Sequence, residues 1–287
     1  MLTSFWHQIN TPVLYAIPFF FLFIAVEVWT LRDRDHVTGY LARDTRTSLA
    51  MGVGSLASSL LLKIGVLVGF SYLWAVAPWH VPTDTWWGWA LLLVVVDLSL
   101  YFNHRFSHRV RIGWAAHRAH HSSEYFNFGT ALRQKWNPWS EALFWSPLPL
   151  LGFAPWAIYI ALTLNLIYQF FTHTETVGKL PRPIEYIFNT PSHHRVHHGS
   201  DPEYLDKNYG GIFIVWDRMF GTFQPELHRP RYGLTTPVGT YNLLKLEYGE
   251  YVKIVRDVRG ADRLRDKLGY IFAPPGWQPA PRPVTAA

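Results

Sequence analysis

The stretch Pro191-Ser192-His193-His194-Arg195-Val196-His197-His198 puts four imidazoles within six residues. Neutral imidazole is the commonest metal ligand among side chains. In a helix, His194, His197 and His198 stand at i, i+3 and i+4 on one face, and His193 reaches that face through its i+4 neighbour His197. The same H-x-x-H-H spacing recurs at His117-Arg118-Ala119-His120-His121. One cluster is compatible with zinc or with coincidence. Its repetition points to a metal centre assembled from several segments.

Two more groups extend the pattern. His104-Arg105-Phe106-Ser107-His108 is an i, i+4 pair, and His173 closes an apolar run. The candidate metal ligands are therefore His104, His108, His117, His120, His121, His173, His193, His194, His197 and His198, ten of the 14 histidines. So many imidazoles exceed one four-coordinate zinc and suit two metal ions. All-nitrogen sets accept zinc, copper, nickel or iron, and spacing does not choose among them. Upstream, Asp97, Tyr101, His104 and His108 share one helical face. Asp97 is expected either to orient His104 or to make a helix-packing hydrogen bond. Asn165, Gln169, Thr172 and His173 form a polar stripe down a second helix, read as a substrate or ligand wall. Asp97, Gln169 and Glu175 are the candidate catalytic residues.

Hydrophobic residues make up 49% of the 287, charged residues 16% and aromatic residues 17%, with 14 Trp. Charge this sparse, with aromatics of the kind that gather at bilayer interfaces, indicates an integral membrane protein. The net charge of +6 lies between apolar segments, so anionic lipid is the expected partner and nucleic acid is not. The absence of cysteine excludes disulfides, thiolate-ligated haem, Cys-held iron–sulfur clusters and Cys-type zinc sites. The first apolar run has no basic flank or small-residue cleavage site, so no cleavable signal peptide is expected.

Apolar runs and breakers set an expected topology. Val13–Leu31 is long enough to span, with Glu27 near its end read as interfacial or locally paired. Arg32, Arg34, Arg43 and Arg46 should keep the next loop cytoplasmic. Ser48–Pro78 is read as one tilted or partly interfacial helix, in which Gly65-x-x-x-Gly69 allows close helix packing. Trp86–Asn103 returns inward, and His104 begins where it ends. Glu141–Thr172, broken at Pro147, Pro149, Gly152 and Pro155, is read as a hairpin that brings His173 back beside His104. Leu243–Val258 looks amphipathic, suited to the membrane surface or the cap. The expected order is membrane spans over residues 1–103, a first cytoplasmic histidine segment over 104–140, a membrane hairpin over 141–173, and a cytoplasmic cap with the second histidine box over 174–287. The Pro-rich end reads as an irregular tail. The fold class is an all-α integral membrane protein whose cytoplasmic helical cap carries a histidine-rich dimetal site.

The segments His120-His121-Ser122-Ser123-Glu124-Tyr125-Phe126-Asn127, Gln169-Phe170-Phe171-Thr172-His173-Thr174-Glu175, Asn189 to His198, Asp206-Lys207-Asn208-Tyr209-Gly210-Gly211 and Trp216 to Phe223 together resemble the fatty acid hydroxylase/sterol desaturase superfamily of membrane di-iron oxygenases. They look most like its alkylglycerol monooxygenase-like branch and bacterial relatives. The resemblance covers roughly residues 97–223. It implies two iron ions held by the histidines above, with His193 as a tenth member, and zinc able to substitute in preparations. Gln169 stands where some relatives carry a further histidine. The resemblance further implies O₂ as co-substrate, an external electron donor (a reduced pterin or a redox protein), a membrane-lipid substrate, and hydroxylation or desaturation of a C–H bond. The expected location is the cytoplasmic membrane of a bacterium or the endoplasmic reticulum of a eukaryote, with the active site on the cytoplasmic side. Asp206–Tyr209 is expected to orient a ligand or make a turn, and Trp216–Phe223 to pack the cap against the spans.

Three other classes fit the residues less well. A transition-metal transporter needs polar groups at mid-bilayer, whereas these histidines collect at the ends of apolar runs. A zinc hydrolase of the H-E-x-x-H type lacks its glutamate here. A non-catalytic lipid-binding protein has no use for ten aligned imidazoles.

Overall fold

Apolar runs with few internal breakers form the long helices, and Pro or Gly follows several of the short ones, at Pro147, Gly152, Gly199 and Gly221. The computed structural model describes residues 2–32, 39–137 and 139–280. The helices are α1 (Leu2–Leu31), α2 (Ala42–Ala75), α3 (Trp86–Arg109), α4 (Arg111–His117), α5 (Phe128–Ala131), α6 (Trp139–Trp145) and α7 (Pro147–Leu150). They continue as α8 (Pro155–Thr172), α9 (Arg182–Ile187), α10 (Pro191–His197), α11 (Val215–Met219), α12 (Leu243–Gly260) and α13 (Leu264–Phe272). A 3-10 turn covers His120–Ser122. Among the described residues there are no strands, only isolated bridges pairing Phe188 with Phe213 and Gly199 with Tyr232. The all-α expectation holds. Arg34 and the tail residues Pro281 and Pro283, assigned above to a basic loop and an irregular end, lie outside the described residues.

By length and composition, α3 is the helix among those described that could cross a membrane. A second candidate is α2, taken as Ala42–Ser58 and Leu62–Ala75 joined at a 47° bend. This bend is a departure from the single tilted helix expected over 48–78. Ser58 donates its hydroxyl to the Ser55 carbonyl at 3.2 Å, a local bond of the kind that bends helices. Gly65 and Gly69 face open space. Close approach occurs instead at Gly52 and Gly54, where an added Cβ would meet the Leu132 carbonyl at 2.8 Å and the Trp136 indole at 2.3 Å.

The main core joins α3 and α8 with the turn between α6 and α8. Leu92, Val96 and Leu100 pack with Trp145, Leu148, Phe153, Ala157, Ile158 and Ala161. Glu27 of α1 is buried and pairs across the fold, not locally. Its carboxylate accepts the Phe128 N–H at 2.8 Å and the hydroxyls of Tyr40 and Thr174. One acid thus ties α1 to α5 and to the residue after His173. On the opposite flank α12 clamps α4: Arg111 donates to Glu250 at 3.1 Å and to Asp257 at 2.7 Å, and Arg118 to Glu250 at 3.3 Å.

Glu247, also on α12, supplies a pH test. Its Oε1 accepts from the Trp136 N–H at 2.8 Å and the Asn137 amide at 2.7 Å, while its buried Oε2 has no partner. Burial pushes this carboxyl up to about 7 against the opposing hydrogen bonds and Lys135. A pKa above the unfolded value means the folded chain binds the proton more tightly, so the group is neutral at no penalty below about 4.5 and lowers stability as pH rises through about 7. Glu247→Gln is therefore expected to raise the melting temperature at pH 8 and leave it nearly unchanged at pH 5. Equal shifts at both pH values would contradict this.

Candidate metal centre

The helical ends deliver the imidazoles. His104 and His108 occupy the last turns of α3, His117 ends α4, His120 and His121 lie in the following 3-10 turn, and His173 caps α8. Thr190 caps α10, Pro191 stands at its first turn, and His194, His197 and His198 follow. The structure brings nine of the ten predicted ligands into two groups, His104, His108, His117, His121 and His197, and His120, His173, His194 and His198. In each group one nitrogen per residue lies within 4.8 Å of the others. Each H-x-x-H-H box is split between them. His117 and His121 serve the first group while His120 serves the second; His194 and His198 serve the second while His197 serves the first. The boxes thus exchange their i+3 members, and the groups adjoin where the His121 and His198 rings stack at 4.3 Å.

His193 falls outside both groups. Its Nε2 lies 2.9 Å from Glu185, and it occupies the third position of the capping box of α10, where Glu or Gln commonly stands. The i+4 relation to His197 was a correct spacing but the wrong face. His193 instead fixes the start of the helix that carries the other three.

Four rings are held from behind by backbone carbonyls. Nδ1 of His104 meets the Tyr209 carbonyl at 2.9 Å, that of His120 the Arg133 carbonyl at 3.1 Å, that of His173 the Gln169 carbonyl at 2.7 Å, and that of His197 the Lys207 carbonyl at 2.9 Å. A carbonyl only accepts, so each Nδ1 carries the proton and each Nε2 presents its lone pair. Burial holds these imidazoles neutral. It brings His173 to about 3 and His197 to about 4, although the carbonyl bonds oppose it. His120, His121, His194 and His198 are lowered well below the usual range, by burial first and by neighbouring imidazoles next. His120 and His173 then aim two lone pairs at each other across 3.3 Å, an arrangement that calls for a cation. The buried Nε2 atoms of His108, His197 and His198 have no protein partner either. This donor set fits metal ions.

Two of the carbonyls that aim the rings, those of Lys207 and Tyr209, come from one turn. Asp206 and Asn208 adopt φ of 60° and 56°, left-handed values that Asp and Asn tolerate better than other non-glycine residues. The fully buried Asn208 donates to the His193 and Gln224 carbonyls at 3.1 and 2.8 Å, and so orients Lys207 and Tyr209. Asp217 accepts the Tyr209 and Gly210 N–H groups, each at 2.8 Å. Asp206–Tyr209 makes a turn, and its Lys207 and Tyr209 carbonyls orient His197 and His104.

Asp97 does not bond His104. It accepts Ile212 N–H at 2.7 Å and Asn165 amide at 2.6 Å on Oδ1, and Phe213 N–H at 3.0 Å and Trp216 indole at 2.8 Å on Oδ2. Its reach to His104 is indirect, through the 209–213 loop. That loop approaches so closely that a Cβ on Gly211 would lie 2.5 Å from Asp97 Oδ1. Gln169 donates to Asn165 at 2.8 Å and holds His173 through its main chain. Glu175 accepts from Arg229 at 2.7 Å and from Tyr232 at 3.1 Å, and its carboxylate belongs to neither histidine group. Trp216 meets Asp97, and Phe220 stacks on Tyr101 at 5.3 Å, so this run packs on α3 as expected.

Sequence reading missed Arg133. It is buried and donates to Asp44, Ser48 and Ser122, which fixes the carbonyl behind His120. A buried guanidinium needs such partners, but nothing in the local sequence pairs Arg133 with Asp44.

Residues 89–222 match the family model described as fatty acid hydroxylase. That segment is similar to fatty acid hydroxylases. All nine grouped histidines lie inside its bounds. The chain is similar to alkylglycerol monooxygenase of Danio rerio, 42% identical over 269 residues, and to that of Homo sapiens, 39% identical over 270 residues; each alignment covers 92% of this chain and 59% of the relative. It is also 30% identical over 209 residues to ornithine lipid hydroxylase OlsE of Rhizobium tropici, covering 64% of this chain and 60% of the relative. The chain spans about three fifths of the length of these relatives. No solved structure matches it.

Proposed function

We propose that this chain belongs to a membrane di-iron monooxygenase that hydroxylates a C–H bond of a lipid. The observation that carries the reading is the pair of adjoining all-histidine groups with lone pairs turned inward. Relatives named alkylglycerol monooxygenase support an alkylglycerol-type lipid as substrate class, and oxygenase chemistry calls for a redox-active metal such as iron, which zinc is not. His104, His108, His117, His121 and His197 would hold one ion, and His120, His173, His194 and His198 the other. Bound iron would supply the O₂ chemistry that converts C–H to C–OH, with two external electrons and two protons reducing the second oxygen atom to water. The electrons come from a reduced pterin or a redox protein.

The chain's own residues place and protect. Carbonyls of Tyr209, Arg133, Gln169 and Lys207 lock the tautomers, so each nitrogen faces the site before any ion arrives. Asp97, Asn165 and Asp217 hold the loop that carries one of those carbonyls. Burial of the imidazoles excludes bulk water. The apolar helices α1, α2, α3 and α8 embed the chain in the bilayer, and the histidine face lies on the cytoplasmic side, where the substrate's chain can enter from the lipid.

Purified in lipid and supplied with ferrous iron, the protein is expected to bind two irons per chain and to give, only with O₂ and reductant, a lipid product heavier by one oxygen atom. Metal analysis and lipid mass spectrometry check this. One zinc per chain with no oxygen consumption rejects the reading, and a product lighter by two hydrogens replaces hydroxylation with desaturation.

A further inference from the structure

The acids and bases of α12 are segregated. Glu247, Glu250 and Asp257 face inward, toward the Trp136 turn and the arginines of α4. On the outer face Leu244, Tyr248, Val252 and Val255 are all exposed. At 100° per residue these four fall within an 80° stripe. Lys245 and Arg256 border that stripe on one side, both exposed. α13 repeats the pattern, with Leu264, Leu268 and Phe272 exposed on one face and Arg265 beside them. Val252 is 66% and Leu264 71% exposed, far more than isolated surface apolar residues that pack against neighbours.

A basic-edged apolar stripe, on two consecutive helices, matches the design of helices that lie in a headgroup layer. The charge chooses the surface. Outward bases with inward acids suit an anionic leaflet, and two copies face to face would set like charges together. We infer that α12 and α13 form a foot that lies on an anionic lipid surface. This deepens the membrane reading above and rests on it. The foot is joined to the metal centre. Arg111 and Arg118 of the His117 segment bond Glu250 and Asp257, and the Arg111 N–H donates to the Ala273 carbonyl after α13 at 3.0 Å. Seating the foot therefore steadies α4 and the imidazole at its end.

The chain has no cysteine, so single labels are clean. Val252→Cys, Leu268→Cys and the exposed control Thr236→Cys, each carrying bimane in the full chain, are placed in nanodiscs of neutral lipid or of lipid with about 30% anionic headgroups. Quenching is read with nitroxide lipid and with aqueous iodide. At Val252→Cys and Leu268→Cys, lipid quenching should exceed that at Thr236→Cys about threefold, with iodide quenching reduced, and should be strongest in anionic discs. Lys245→Glu with Arg256→Glu should remove that preference without changing iron content. Iodide access equal to the control, or protection from iodide without lipid quenching as a protein partner or second copy would give, overturns the inference. Because quenching needs neither iron nor turnover, failure here is distinguishable from failure of the oxygenase reading.

Discussion

His173→Ala is expected to abolish lipid hydroxylation, with a loss of more than about 100-fold, the upper end of what removing a mere supporting partner of a ligand costs. His173 sits at the middle of the smaller group, with its Nε2 3.3 Å from that of His120 and 3.0 Å from that of His194. Without it three nitrogens remain, and iron content should fall from two per chain toward one. His193→Ala is the informative companion. Its Nε2 is committed to Glu185, so the variant should keep two irons and lose only some stability through the cap of α10. Retention of both irons in His173→Ala, or loss of one in His193→Ala, would overturn the ligand assignment.

The second large effect is expected at Asp97. Asp97→Ala leaves two backbone N–H groups, an amide and an indole N–H without their acceptor in a buried site. Unsatisfied buried donors cost about 1–3 kcal/mol each and do not add simply, so a loss of about 3 kcal/mol or more is expected. Asp97→Asn should be intermediate, since one oxygen still accepts while its amide confronts the remaining donors. The readouts are thermal unfolding and iron retention during dialysis. Because Asp97 holds, through the Ile212 and Phe213 N–H groups, the loop that supplies the Tyr209 carbonyl, iron should leave faster even at temperatures where the chain stays folded. A melting temperature equal to the parent's would refute the clamp.

The histidine spacing made most of the centre legible. H-x-x-H-H is a helical statement, and i, i+4 pairs did fall into one group at His104 and His108, at His117 and His121, and at His194 and His198. What spacing could not reveal was that the i+3 member of each box crosses to the other group, because that depends on how α4 and α10 face each other. His193 was misplaced for a local reason: a histidine can serve a helix cap as well as a metal, and sequence does not separate the two. Asp97 was singled out from its cost inside an apolar helix, and it is fully buried. Its partners, more than a hundred residues downstream in three cases, were beyond any periodicity. The helices themselves followed from apolar runs and breakers. The bend in α2 did not, since a seryl back-bond competes with the helix without interrupting its hydrophobic pattern.

The traded members of the two boxes have a mechanical meaning. A small rigid shift of α10 moves His197 against one group and His194 with His198 against the other, so strain in either group is felt in both through a lever a single turn long. Ions held in the two groups would be geared together by the polypeptide, and any event that loosens one segment would detune the pair as a unit.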